Sequence, residues 1–137
     1  MTERKKFRPV GITILAIFFL LFAAWNGLRL GETIFFWKTL EGYGGSPLYI
    51  ALTGAFWLIV ALILFWACLN GKAWGRLTAF GGTFGYTIWY WFDRLVLQKP
   101  HANWPFVLAV DIVFLVAVFL ILIAPNTRIF FQRDTHE

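Results

Sequence analysis

The sequence predicts an all-α membrane protein, a four-transmembrane-helix bundle with both termini in the cytoplasm. Three observations carry this expectation. Apolar residues make up 60% of the 137-residue chain and charged residues only 14%, against roughly 45–50% and about 25% in soluble domains. The apolar residues collect into four runs near the ~20 residues that a helix needs to cross the hydrocarbon core. The Lys and Arg residues gather about the gaps between those runs. A soluble domain this small leaves much of its chain exposed and has no room for sixteen Phe and eight Trp.

The first run, residues 10–28, follows "ERKKFR". That basic-then-apolar order is shared with secretory signals. The stretch "FAAWNGLRLGE" offers only a weak cleavage site, so the run reads as a retained span. The loop "GETIFFWKTLEGYGGSP" has two readings. Ile34, Phe35, Trp37 and Lys38 suit a short interfacial helix over residues 32–40, or the first span simply continues past the interface. Gly42, Gly44, Gly45 and Pro47 then break the chain before the second span, residues 48–69.

The third span covers residues 74–97 and the fourth 104–124. The short connections "NGKAWGR" and "QKPHAN" predict antiparallel hairpins. The tail "NTRIFFQRDTHE" has basic and aromatic residues suited to the inner interface and then frays. All of residues 1–137 form one transmembrane domain.

Orientation follows from the accumulation of Lys and Arg on the cytoplasmic side. With the termini together, one side holds Arg4, Lys5, Lys6, Arg8, Lys72, Arg76, Arg128 and Arg133. The other holds Arg29, Lys38, Arg94 and Lys99. The termini therefore face inward, in a bacterial or archaeal cytoplasmic membrane. This topology accounts for the net charge of +5. No interleaving of Arg or Lys with aromatics points to single-stranded nucleic acid, so no nucleic-acid partner is expected.

Sorting the third span at 100° per residue gives three faces. Leu77, Phe84, Ile88, Trp91 and Leu95 form an apolar face for lipid or a partner. Gly81 and Gly85 form a G-x-x-x-G pair flanked by Thr78 and Gly82, which lets helix backbones approach closely. That contact lies within the monomer or between two chains. Arg76, Thr83, Thr87, Tyr90 and Arg94 form a polar stripe, which should turn away from lipid because unpaired polar groups there cost several kcal/mol.

Asp111 is the one charged residue in "VLAVDIVFLVAVFLILIAP". Counted from the hairpin, it lies at the depth of Tyr90, with Arg94 one turn further out. Asn26 and Arg29 occupy the outer half of the first span. The expected buried polar cluster is Asp111, Tyr90 and Arg94, with Asn26 and Arg29 as further members. It either locks helices in register, handles a proton or ion, or meets a partner or ligand. Ionisable groups at membrane depth are costly and by default point to function.

The opening "RPVGITILAIFFLL" resembles the start of a recurrent group of small integral membrane proteins of bacteria and archaea. Members begin with Arg-Pro-x-Gly leading into the first span and have a Trp/Arg-rich inner turn, to which "NGKAWGR" is similar. They end on Pro-x-x-Arg-x-x-Phe, matched at Pro125, Arg128 and Phe131, and an acidic residue early in the last span is common, similar to Asp111. The long aromatic first loop departs from the pattern. The group has no established activity, so the resemblance implies four spans and nothing about chemistry.

One cysteine, Cys68, excludes an internal disulfide and a Cys-cluster metal site. It reads as a small buried hydrophobe or an acylation site. His101 and His136 are isolated, so neither metal nor cofactor is expected. No nucleophile–base pair, carboxylate pair or phosphate loop is present, and "GGTFG" sits mid-helix, the wrong context for phosphates. The sequence therefore predicts no enzyme.

Three roles remain. The chain is a non-catalytic packing or accessory subunit of a membrane assembly, bound to other subunits or to itself. Alternatively it is a small oligomeric transporter or channel using the span-three stripe, or a membrane sensor or assembly factor.

Overall fold

The computed structural model describes residues 7–132, and all regular structure in them is helical. Pro9, extended at φ −58° and ψ 144°, precedes α1 (Val10–Phe35). With 26 residues and about 1.5 Å per residue, α1 outlasts the ~30 Å hydrocarbon core. It continues to Phe35 where the sequence places the end of the span at 28. Only Gly31 weakens that stretch, and the Thr33 hydroxyl is satisfied within it, donating to the Arg29 carbonyl at 2.7 Å.

At Phe36 the backbone turns, and α2 (Trp37–Gly42) follows. Trp37 Nε1 donates to Glu41 Oε1 at 2.8 Å, one helical turn on. Each reading of the first loop thus holds in part. The helix does run on, and the separate short helix occupies Trp37–Gly42 instead of 32–40.

Pro47 opens α3 (Pro47–Asn70), where its missing N–H costs no helical bond. Gly71 closes it in the left-handed conformation at φ 64°, its N–H donating to the Ala67 carbonyl. After a tight turn come α4 (Gly75–Phe92) and a π turn over Asp93–Leu97. Then α5 (Trp104–Ile123) ends at Ala124, whose extended backbone breaks the helix, and Pro125 starts α6 (Pro125–Gln132).

Three helices, α1, α3 and α5, are long and apolar enough to cross a membrane. The third apolar run of the sequence, now α4, is not among them. Its 18 residues include Arg76, three threonines and four glycines, which dilute its apolarity.

Neighbouring long helices run antiparallel. Arg8 meets the carbonyl of Leu69, while Gly54 lies beside Asn26 and Leu30 further along α1. On α4, Gly82 packs on Leu64 and Asp93 reaches Tyr49, both of α3. Towards α5, Phe80 packs on Phe119 and Trp91 reaches Asp111.

The core lies near the end carrying Arg8, built from Ile12, Leu15, Phe19, Leu64, Cys68 and Leu122 with Phe130 and Phe131 of α6. α6 belongs to the tail that the sequence places at the inner interface. It buries Thr127, Phe130 and Phe131 against the ends of the long helices. Gly75 makes this possible, since a Cβ there stands 3.0 Å from the Phe131 ring and 3.1 Å from Ala67 Cβ. The tail beyond Gln132 lies outside the described residues.

At the same end, Arg8 Nη2 donates to the Leu69 carbonyl at 3.1 Å and Arg76 Nε to the Leu122 carbonyl at 2.8 Å. Both guanidinium groups meet orphan carbonyls at helix C-termini, where cations are favoured.

Candidate functional site

The polar groups on α4 arise from its periodicity. Gly82, Tyr86, Trp89 and Asp93 are spaced as one helical face, and that face meets α3. Trp57 of α3 packs edge-on to Tyr86 at 5.0 Å between ring centroids and lies 5.7 Å from Trp89. At the end of this face Asp93 is 6% exposed. Tyr49 donates its hydroxyl to Asp93 Oδ1 at 2.8 Å, and Gln98 Nε2 donates to Oδ2 at 2.6 Å.

The π turn brings Gln98 into range. Its backbone N–H bonds the carbonyl of Asp93, five residues back, at 3.1 Å, while its side chain reaches the carboxyl group of the same residue. Such wide turns occur mostly as short insertions, often where a helix carries function. Trp89 Nε1 donates to the Tyr49 oxygen at 3.2 Å, and the Arg29 guanidinium lies 5.5 Å from the Trp89 ring centroid. Arg29, Trp89, Tyr49 and Asp93 thus connect α1, α4, α3 and the π turn.

Asp93 is absent from the cluster expected from sequence. The helical spacing from Gly82 was the signal that could have found it.

The expected cluster itself is divided. Asp111 is half-buried and its Oδ2 accepts from Trp91 Nε1 at 2.8 Å, one residue from the anticipated Tyr90. Arg94 does not reach Asp111. Its Nη1 donates to the Tyr90 hydroxyl at 3.2 Å and its Nη2 to Asn103 Oδ1 at 2.6 Å, closing the α4–α5 hairpin. Arg29 belongs with Trp89, as above. Asn26 is 1% exposed but donates to the Phe22 carbonyl of its own helix at 2.9 Å, beside the α1–α3 crossing at Gly54. Trp91 sits on the face assigned as apolar, where its indole N–H is a donor that an apolar classification hides.

Among the small residues, Gly82 makes the close approach: a Cβ there stands 2.7 Å from Leu64 Cδ1. Around Gly81 there is open space, Gly85 touches only Trp57, at 3.8 Å, and Thr78 is exposed. Of the G-x-x-x-G pair, Gly85 therefore faces α3 and Gly81 does not.

Between α1, α3, α4 and α5 lies a cavity of about 120 Å³ whose lining includes Phe18, Phe22, Thr83, Tyr86, Asp111 and Phe114. Thr83 Oγ1 is buried and has no hydrogen-bond partner among the described residues. A hydroxyl left so costs about 1–3 kcal/mol. Cys68 is fully buried in the core. Among the described residues no three His, Cys, Asp or Glu side chains group as a metal site.

No family model, curated protein or solved structure matches this chain. Its class therefore rests on the helices themselves, which are those of a helical protein with three membrane-competent segments.

Proposed function

We propose that the chain is a multi-pass protein of a bacterial or archaeal cytoplasmic membrane and a non-catalytic packing subunit of a larger membrane assembly. In this reading α1, α3, α4 and α5 form a four-helix transmembrane bundle with both termini in the cytoplasm. Arg8, Lys72 and Arg76 lie at the inner end and Arg29 and Arg94 at the outer, as the inward bias of positive charge requires. The likeness of "RPVGITILAIFFLL" and "PNTRIFF" to small four-span membrane proteins agrees with it.

One observation carries the subunit role. On α4 the open notch at Gly81 is surrounded by exposed Leu77, Thr78, Phe84 and Ile88, and the Thr78 hydroxyl bonds only within its own helix. A small residue in an apolar surface lets a second helix approach closely, and packing of this kind drives helix association in lipid. The neighbouring α5 buries only Val118 and Leu122 of its 20 residues, leaving a second broad apolar surface.

After gentle solubilisation, the protein is expected to co-purify with a stoichiometric membrane-protein partner. Gly81→Leu should abolish that association while leaving the isolated chain folded. A wild-type monomer without a partner under every mild condition contradicts the subunit role.

A further inference from the structure

We propose that the cavity bounded by Thr83 and Asp111 is a binding site for a small organic ammonium ion with an apolar, preferably aromatic, body. This goes beyond the subunit role and does not depend on any partner.

Two polar groups mark the cavity. Thr83 is 6% exposed and its hydroxyl has no partner among the described residues. Asp111 accepts one hydrogen bond, from Trp91 to Oδ2, and none among the described residues to Oδ1. Arg94, the basic residue nearest in the hairpin, is engaged by Tyr90 and Asn103. Among the described residues, Asp111 is the one charged side chain that lines the cavity. An anion is repelled there, and a neutral hydrocarbon leaves both polar groups unpaired. An ammonium group can donate to Asp111 Oδ1, and Thr83 Oγ1 offers a further acceptor elsewhere on the wall of the same cavity.

The rest of the wall selects the body of the guest. Phe18 and Phe114 lie 4.3 Å apart between centroids, and Phe22 and Tyr86 4.4 Å apart. Aromatic faces attract cations as well as apolar rings. At about 120 Å³ the cavity alone falls short of the ~150 Å³ at which an apolar protein cavity admits benzene, so the body of an aromatic guest must extend beyond it. A recess of about 240 Å³ between α4 and α5 shares Tyr86, Asp111 and Phe114 with it and extends to exposed Phe106. A guest can therefore arrive from the side of the helices.

The test is calorimetric titration of the full chain in lipid nanodiscs with 2-phenylethylammonium, beside its uncharged carbon analogue propylbenzene. Saturable binding of one ammonium per chain is expected. Asp111→Asn should weaken it at least about tenfold, and Thr83→Val, which keeps the side-chain volume, about threefold or more. Propylbenzene should bind wild type no better than it binds Asp111→Asn. Failure of the ammonium to bind wild type overturns the proposal, as does equal affinity for propylbenzene. Should Asp111→Asn not fold, Thr83→Val decides alone, and unchanged affinity in it overturns the proposal.

Discussion

Gly82→Leu is expected to separate α4 from α3 and to destabilise the chain by about 3 kcal/mol. The Cβ falls 2.7 Å from Leu64 Cδ1, a terminal methyl group that can shift slightly, but the further carbons of a leucine have no space in the contact with buried Leu64. Overpacking of a well-filled contact costs ~1–3 kcal/mol and sometimes more. The gain in helix propensity over glycine, about 1 kcal/mol at most, does not offset it. Gly82→Ala needs only a small shift of one methyl group and should cost about 1 kcal/mol or less. The contrast with Gly81 is the sharp part. Nothing lies within 4 Å of a Cβ there, so Gly81→Leu should leave monomer stability unchanged or raise it by about 0.5 kcal/mol. Denaturant unfolding of the solubilised monomers distinguishes the three variants. Equal losses at both glycines contradict the assigned packing.

The second large effect is expected at Asp93. Asp93→Ala removes the acceptor for both Tyr49 and Gln98. The Tyr49 hydroxyl then keeps only the bond it accepts from Trp89. Inter-helix hydrogen bonds in membranes average ~0.6 kcal/mol, and the two donors released together are half-buried Tyr49 and exposed Gln98. A net loss of about 1–2 kcal/mol is expected, with faster amide exchange at Gln98, whose side-chain tether is gone. Asp93→Asn keeps an acceptor for Tyr49 and should lose about 1 kcal/mol or less. Unfolding midpoints and hydrogen exchange check both. An Asp93→Ala protein as stable as wild type, with unchanged exchange, excludes a structural role for this node.

Much of the helical order is legible in the sequence because unbroken apolar runs and glycine–proline punctuation are local signals. Pro47, Gly71 and Pro125 sit at element boundaries for reasons a reader can state from residue type alone. The depth of Asp111 follows from counting along a hairpin, and its bond to Trp91 falls one residue from the count. The donor itself is not legible, because a tryptophan is at once a large apolar body and a single N–H. Asp93 is hidden for a related reason. A helix of uniform pitch carries the chain outward past it, whereas the π turn brings Gln98 back to its carboxyl group. The burial of α6 depends on the absence of a side chain at Gly75, which admits Phe131. That fit between distant segments has no local signature.

The central claim is that α4 crosses the bilayer despite its glycines and threonines. It is tested most directly by side-specific thiol labelling in sealed vesicles, with the buried Cys68 first replaced by alanine. Single cysteines are placed at exposed Ala73, in the turn before α4, and at exposed His101, in the turn after it. A membrane-impermeant reagent should reach Ala73→Cys only from the cytoplasmic side and His101→Cys only from the opposite side. Labelling of both positions from the same side means that α4 does not cross, and the four-span account fails.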